Sequence, residues 1–152
     1  MNSDKIKWCI QQKKGLQLID KKPHLSESYI KEADETLENM FVTKGKWKLI
    51  TGYYACYNAL YSILMKCGIK CEIHDCTIEL MKLFEFNEVD IQFLSDLKTD
   101  RINTQYYLKD IKLKNEDKVK EFVLKCKEIL NNLSSTKIEN IRKYIGELLD
   151  SE

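Results

Sequence analysis

The chain has 152 residues, 43% of them hydrophobic and 32% charged, the size and balance of one folded domain and not of a disordered or membrane-embedded segment. Its 25 basic and 24 acidic residues nearly cancel, which excludes overall charge as a driver of nucleic-acid binding and leaves only local lysine clusters such as "TKGKWK", read as solvated helix faces. No apolar run reaches the length of a bilayer span and the opening "MNSDKIKWCIQQKKG" lacks a signal-peptide layout, so the expectation is a cytoplasmic protein whose six cysteines are free thiols.

With five glycines and a single proline, Pro23, against many Lys, Glu, Leu and Ile residues, helix is favoured almost throughout. The pattern predicts a first helix over 4–20 with Ile6, Cys9 and Ile10 as its stripe, weakened at Gly15 and ended by Pro23. Ser26 is expected to cap a second helix, on which Ile30, Ala33, Leu37, Met40 and Phe41 follow three- and four-residue spacing. A third helix, 46–66, carries Leu49, Tyr53, Tyr57, Leu60, Tyr61 and Leu64, and Gly68 reads as its left-handed C-terminal cap. Asp75 is placed to cap a fourth helix bearing Ile78, Leu80, Met81 and Leu83. Asn87 with Asp90 predicts a capping box for a fifth, striped by Phe93, Leu94 and Leu97. Asn115 caps a sixth through Leu133, and Thr136 with Glu139 suggests a capping box for a last helix with Ile138, Ile141 and Ile145. No strand-like alternation, repeat or linker interrupts this order. The predicted architecture is therefore a single all-α domain, 1–152, an up-and-down antiparallel helical bundle of six or seven helices.

Three stretches are candidates for chemistry. Cys67, Cys71, His74 and Cys76 lie close enough to raise the question of zinc. The paired C-x2-C elements of a strong zinc signal are missing, and the cysteines fit core positions, so no metal is expected. Tyr53, Tyr57 and Tyr61, with Tyr54 beside them, occupy one helix face as either an aromatic core seam or a base-stacking platform. In "LKTDRINTQYYLKD", Arg101 interrupts the second half of a core helix next to Asp100, Asn103, Thr104 and Gln105. Gln105 shares its face; Tyr106, five residues on, lies about 140° around a regular helix and meets it only if the helix is irregular or another chain contributes. A surface Asp100–Arg101 pair is the plain alternative.

The order of "TGYYACYNALYSILMKCGIKCEIHD" (51–75) and "LKTDRINTQYYL" (97–108) resembles the HEPN domain family (higher eukaryotes and prokaryotes nucleotide-binding). The likeness covers 26–113, with 115–150 as a C-terminal helical hairpin packed on that core. It takes Gly68 as the turn glycine and His74 as the histidine that opens the next helix. The resemblance implies a homodimeric helical bundle, often the companion of a small nucleotidyltransferase in a toxin–antitoxin-like two-component system. Many members are metal-independent ribonucleases that pair an arginine with a histidine a few residues later, two such pairs meeting across the dimer. Here the equivalent positions after Arg101 are Tyr106, Tyr107 and Leu108, with no histidine. A phenol is a poor general base at neutral pH.

The leading expectation is thus a dimeric nucleotide-, RNA- or partner-binding module using Arg101, Asn103, Tyr53, Tyr54, Tyr57 and His74. Alternatives are an endoribonuclease toxin with Arg101, Tyr106 and Tyr107 as its catalytic residues, and a structural helical adaptor. None calls for a cofactor.

Overall fold

The computed structural model describes residues 3–151 and orders them as α1 (Asp4–Gln11), β1 (Gln17–Leu18), α2 (Pro23–Val42), α3 (Lys46–Cys67), β2 (Ile69–Lys70), α4 (His74–Glu79), a single 3-10 turn (Leu80–Leu83), α5 (Glu88–Gln105), α6 (Glu116–Asn131) and α7 (Ser135–Asp150). The all-α bundle is organised by α3, the one helix that is apolar around nearly its whole circumference. Leu49, Tyr53, Ala55, Cys56, Ala59, Leu60, Ile63, Leu64 and Cys67 are all fully buried. A helix of that kind can only sit in the middle, because no face of it can be left to water. α2 lies along it most extensively, and α5, α6 and α7 cover the remaining sides. The small residues let neighbours come close: a Cβ on Gly52 would stand 3.2 Å from Met40 Sδ of α2.

Several local signals act as read. Asn87 accepts from Asp90 N–H while Asn87 N–H donates to the Asp90 carboxylate, the reciprocal capping box. Asn115 caps α6 through Lys118 N–H. Gly68 ends α3 at φ 73°, ψ 43°. The site has no room for a side chain either, since a Cβ there would lie 2.5 Å from the Ile19 carbonyl oxygen. Arg142 of α7 closes the same corner, donating from Nη1 to the carbonyls of Ile19, Cys67 and Gly68 at 2.9, 2.8 and 3.1 Å.

Other expectations are corrected. The first helix stops at Gln11 and does not reach residue 20, because the chain doubles back: Gly15 N–H and Leu16 N–H donate to the carbonyls of Gln12 and Cys9. Only glycine fits there, as a Cβ would fall 1.8 Å from the Cys9 oxygen. The returning residues 17–18 pair antiparallel with 69–70, a short two-stranded sheet that alternation did not reveal. Ser26 is not a cap; Pro23 occupies the first turn of α2, and the buried Ser26 hydroxyl donates to the Ser62 carbonyl of α3 at 2.6 Å. Asp75 does not cap α4 but accepts from Lys98 of α5 at 2.5 Å. Ser134, not Thr136, caps α7, and Glu139 faces Lys21 at 2.7 Å.

The cysteines are corrected as well. Cys9 and Cys76 form a disulfide across 67 residues, joining α1 to α4, while Cys56, Cys67, Cys71 and Cys126 are free and buried. Closing a loop of that size removes a large part of the unfolded chain's freedom. Reduction of the Cys9–Cys76 bond is therefore expected to lower the unfolding free energy by about 2–4 kcal/mol. Urea titrations with and without dithiothreitol measure this, and superimposable curves would contradict it.

Candidate functional site around Arg101

The buried residues of α5 are Leu94, Leu97, Arg101 and Thr104, so the arginine occupies the third position of the helix's core-facing stripe. Arg101 is 5% exposed. Around its guanidinium stand three tyrosine rings, with Cζ lying 4.8 Å from the centroid of Tyr53, 5.5 Å from Tyr54 and 5.8 Å from Tyr106. Nη1 donates to the Tyr54 hydroxyl at 3.4 Å and to Gln105 Oε1 at 3.3 Å, both long. Nε is buried without a hydrogen-bond partner, as is the hydroxyl of Thr104 one turn on. Among the described residues no carboxylate pairs with Arg101, so the alternative of a surface Asp100–Arg101 pair is not met. Cation–π contacts and two neutral acceptors hold the charge, yet nothing neutralises it.

His74 joins this cluster through Tyr53. Its Nδ1 lies 2.7 Å from the Tyr53 hydroxyl, and its ring stacks on Tyr57 at 4.0 Å and 15°. Tyr53, Tyr57 and Tyr61 continue as a ladder of near-parallel rings 5.9 Å apart, as their four-residue spacing on α3 requires. Tyr53 and Tyr57 are core residues, whereas Tyr54 and Tyr61 are only half-buried. The row is thus a core seam at Tyr53 and Tyr57 that leaves part of Tyr61, and of Tyr54 beside it, open to solvent. Burial pushes the Tyr53 and Tyr57 phenols well above their ordinary value, with Arg101 opposing the shift at Tyr53 and the Thr77 hydroxyl opposing it at Tyr57. Burial, reinforced by Arg101 and Lys98, lowers His74 to about 4. The imidazole is consequently neutral at pH 7.

Beside the cluster a cavity of about 360 Å³ opens over α3. Tyr54, Tyr57 and Tyr61 of α3, Tyr29 of α2 and His74 of α4 form its aromatic walls. Asn58, Lys70 and Glu72 provide its polar rim. Arg101 does not line this space but is tied to it through Tyr54 and, by way of Tyr53, through His74.

Of the residues singled out from sequence, Arg101, Tyr53, Tyr54, Tyr57, His74 and Tyr106 come together. Tyr106 caps the C-terminus of α5 with its N–H still on the Ile102 carbonyl, and its ring lies 5.8 Å from the guanidinium, so no second chain is needed for that contact. Tyr107 is 69% exposed and stands outside the cluster. Asn103 is engaged through its carbonyl, which accepts from Lys109 N–H, and is not among the contacts of Arg101. No three of the Cys, His, Asp or Glu residues converge on a metal-binding arrangement among the described residues, and Cys76 is held in the disulfide. Asn58, Lys70 and Glu72 were missed; Asn58 falls four residues from Tyr54, a helical spacing that places the two on one face. No family model matches the chain, and no curated protein is significantly similar to it.

The lowered His74 value has a consequence for stability. A histidine that ionises near its ordinary value when unfolded, but only at about 4 when folded, contributes stability that is fully present above about pH 6.5 and is lost as pH falls toward 4. Unfolding midpoints in urea at about pH 7 and about pH 5 should therefore differ more for the wild type than for His74→Gln. Equal shifts in the two proteins would show that His74 is not held neutral.

Proposed function

We propose that this chain is a HEPN-like binding module for nucleotide or single-stranded RNA, in which Arg101 receives a phosphate and the half-buried tyrosines flank the adjoining bases. The observation that carries the reading is the uncompensated guanidinium. A charge that is 5% exposed, with Nε unpartnered and no carboxylate in reach among the described residues, is costly to the fold unless something anionic completes it. Arginine presents a planar fork of donors that matches phosphate oxygens, and the surrounding rings supply surfaces on which a base can stack. No helix among the described residues is long and apolar enough to cross a membrane.

The ribonuclease alternative draws less support. Tyr106 and Tyr107 are exposed, and the imidazole tied to Arg101 is His74. His74 already has one ring nitrogen engaged by Tyr53 and ionises far below neutral pH, a poor setting for a general base. The structural-adaptor reading leaves the unpaired arginine unexplained. The homodimer and the nucleotidyltransferase companion belong to the proposal on the strength of the family resemblance alone.

Fluorescence anisotropy with labelled single-stranded RNA tests the reading. Loss of one charge-assisted phosphate contact is worth about 1.5–3 kcal/mol, so Arg101→Ala should weaken binding by about ten- to a hundredfold. The RNA should be recovered intact on a denaturing gel. Unchanged affinity in the variant would sink the proposal, and Arg101-dependent cleavage would replace binding with catalysis.

A further inference from the structure

We infer that the cavity over α3 is a guanine-selective base pocket, read by Glu72 and Lys70; the inference rests on the nucleotide-binding reading above and names the base that the site prefers. Two local geometries build it. On α3, Tyr54, Asn58 and Tyr61 recur at four- and three-residue spacing and so present one face to the cavity. Beyond the Gly68 turn the chain is extended, burying Ile69 and Cys71 and exposing Lys70 and Glu72. That two-residue alternation sets Lys70 and Glu72 side by side on the rim.

The rim is fixed in place by its backbone. Cys71 N–H donates to the Tyr61 hydroxyl at 3.1 Å, and Glu72 N–H donates to the Lys14 carbonyl at 3.0 Å. Neither the Glu72 carboxylate nor the Lys70 ammonium has an ion pair among the described residues, which leaves both heads for a ligand.

The pattern on this rim is a cationic donor beside a two-oxygen acceptor, above stacked rings. Guanine carries the complement along one edge: the O6 acceptor, then the N1–H donor, then the N2 amino donor. One carboxylate takes both adjacent donors, while the lysine reaches O6 or N7. Adenine and cytosine each set a ring-nitrogen acceptor beside the amino group, and uracil flanks its single N–H with two carbonyls. In all three a lone pair would face the Glu72 carboxylate. A base whose lone pair faces the carboxylate loses those hydrogen bonds and meets a like charge density instead, so the preference is set by mismatch as well as by attraction. At about 360 Å³ the cavity is at the small end for ligand sites, suited to one base and not to a longer segment. Tyr54 closes one wall and its hydroxyl accepts from Arg101 Nη1, which sets the proposed phosphate site next to the base pocket.

The test is isothermal titration of the full chain with GMP, AMP, CMP and UMP, repeated with Glu72→Gln and Arg101→Ala. Glu72 is exposed and makes no side-chain hydrogen bond among the described residues, so its conservative replacement leaves the fold intact. GMP is expected to bind at least about tenfold more tightly than the other three, and Glu72→Gln to erase that preference by removing one of two acceptors. Arg101→Ala should weaken all four while keeping their order. Equal binding of the four nucleotides, or a guanine preference that survives Glu72→Gln, overturns the base assignment and leaves the phosphate site standing if Arg101→Ala still weakens them. If no mononucleotide binds, the pocket assignment is overturned, and the RNA titration alone decides the phosphate site.

Discussion

The most demanding group in the molecule is the guanidinium of Arg101, a charge set on the core-facing stripe of α5. It occupies a position on α5 that its neighbours Leu94 and Leu97 mark as core, and it brings a charge there with no opposite charge to meet it among the described residues. The fold answers with electron-rich surfaces. Tyr53, Tyr54 and Tyr106 surround the ion with ring faces and hydroxyls, and Gln105 supplies one neutral acceptor. Such contacts soften the cost of burial without cancelling the charge.

Everything near Arg101 is positioned by α3. A helix buried on nearly all sides cannot rotate or slide without exposing apolar surface, so the tyrosines it carries are fixed relative to α5. The Gly68 turn then returns the chain over the same face, and within six residues it delivers Lys70, Glu72 and His74 to it. Arg142 and the Cys9–Cys76 disulfide brace this return from either side, one by capping the carbonyls at the end of α3, the other by tying α4 to α1. His74 stays neutral among these groups and bridges the aromatic row to the charged centre through Tyr53.

Much of this was legible in the sequence where the information is local. Asn87, Asn115 and Gly68 announce their roles within four residues, because a cap acts on the backbone next to it. The prominence of Arg101 was legible too, since it follows Leu94 and Leu97 on an apolar stripe. What could not be read were pairings over distance. The turn at Gly15 depends on the Cys9 carbonyl, the short sheet joins residues 17–18 to 69–70, and the disulfide spans 67 positions. The link between Tyr53 and His74 crosses 21 residues and a change of direction, so spacing rules for a single helix say nothing about it. Tyr106 was expected to meet Arg101 only through an irregular helix or a second chain, and it does so within one chain, as the residue that closes α5.

The central claim is that the fold keeps Arg101 for a ligand and not for its own stability. Thermal unfolding of the wild type and of Arg101→Met, each with and without GMP, separates the two roles. Replacing an unpaired buried charge with an apolar side chain of similar length is expected to leave the melting temperature unchanged or higher, while the upward shift caused by GMP disappears. A fall of about 6 °C or more in the variant, equivalent to about 2 kcal/mol for a domain of this size, would show that the arginine is a structural part of the bundle and would contradict the account.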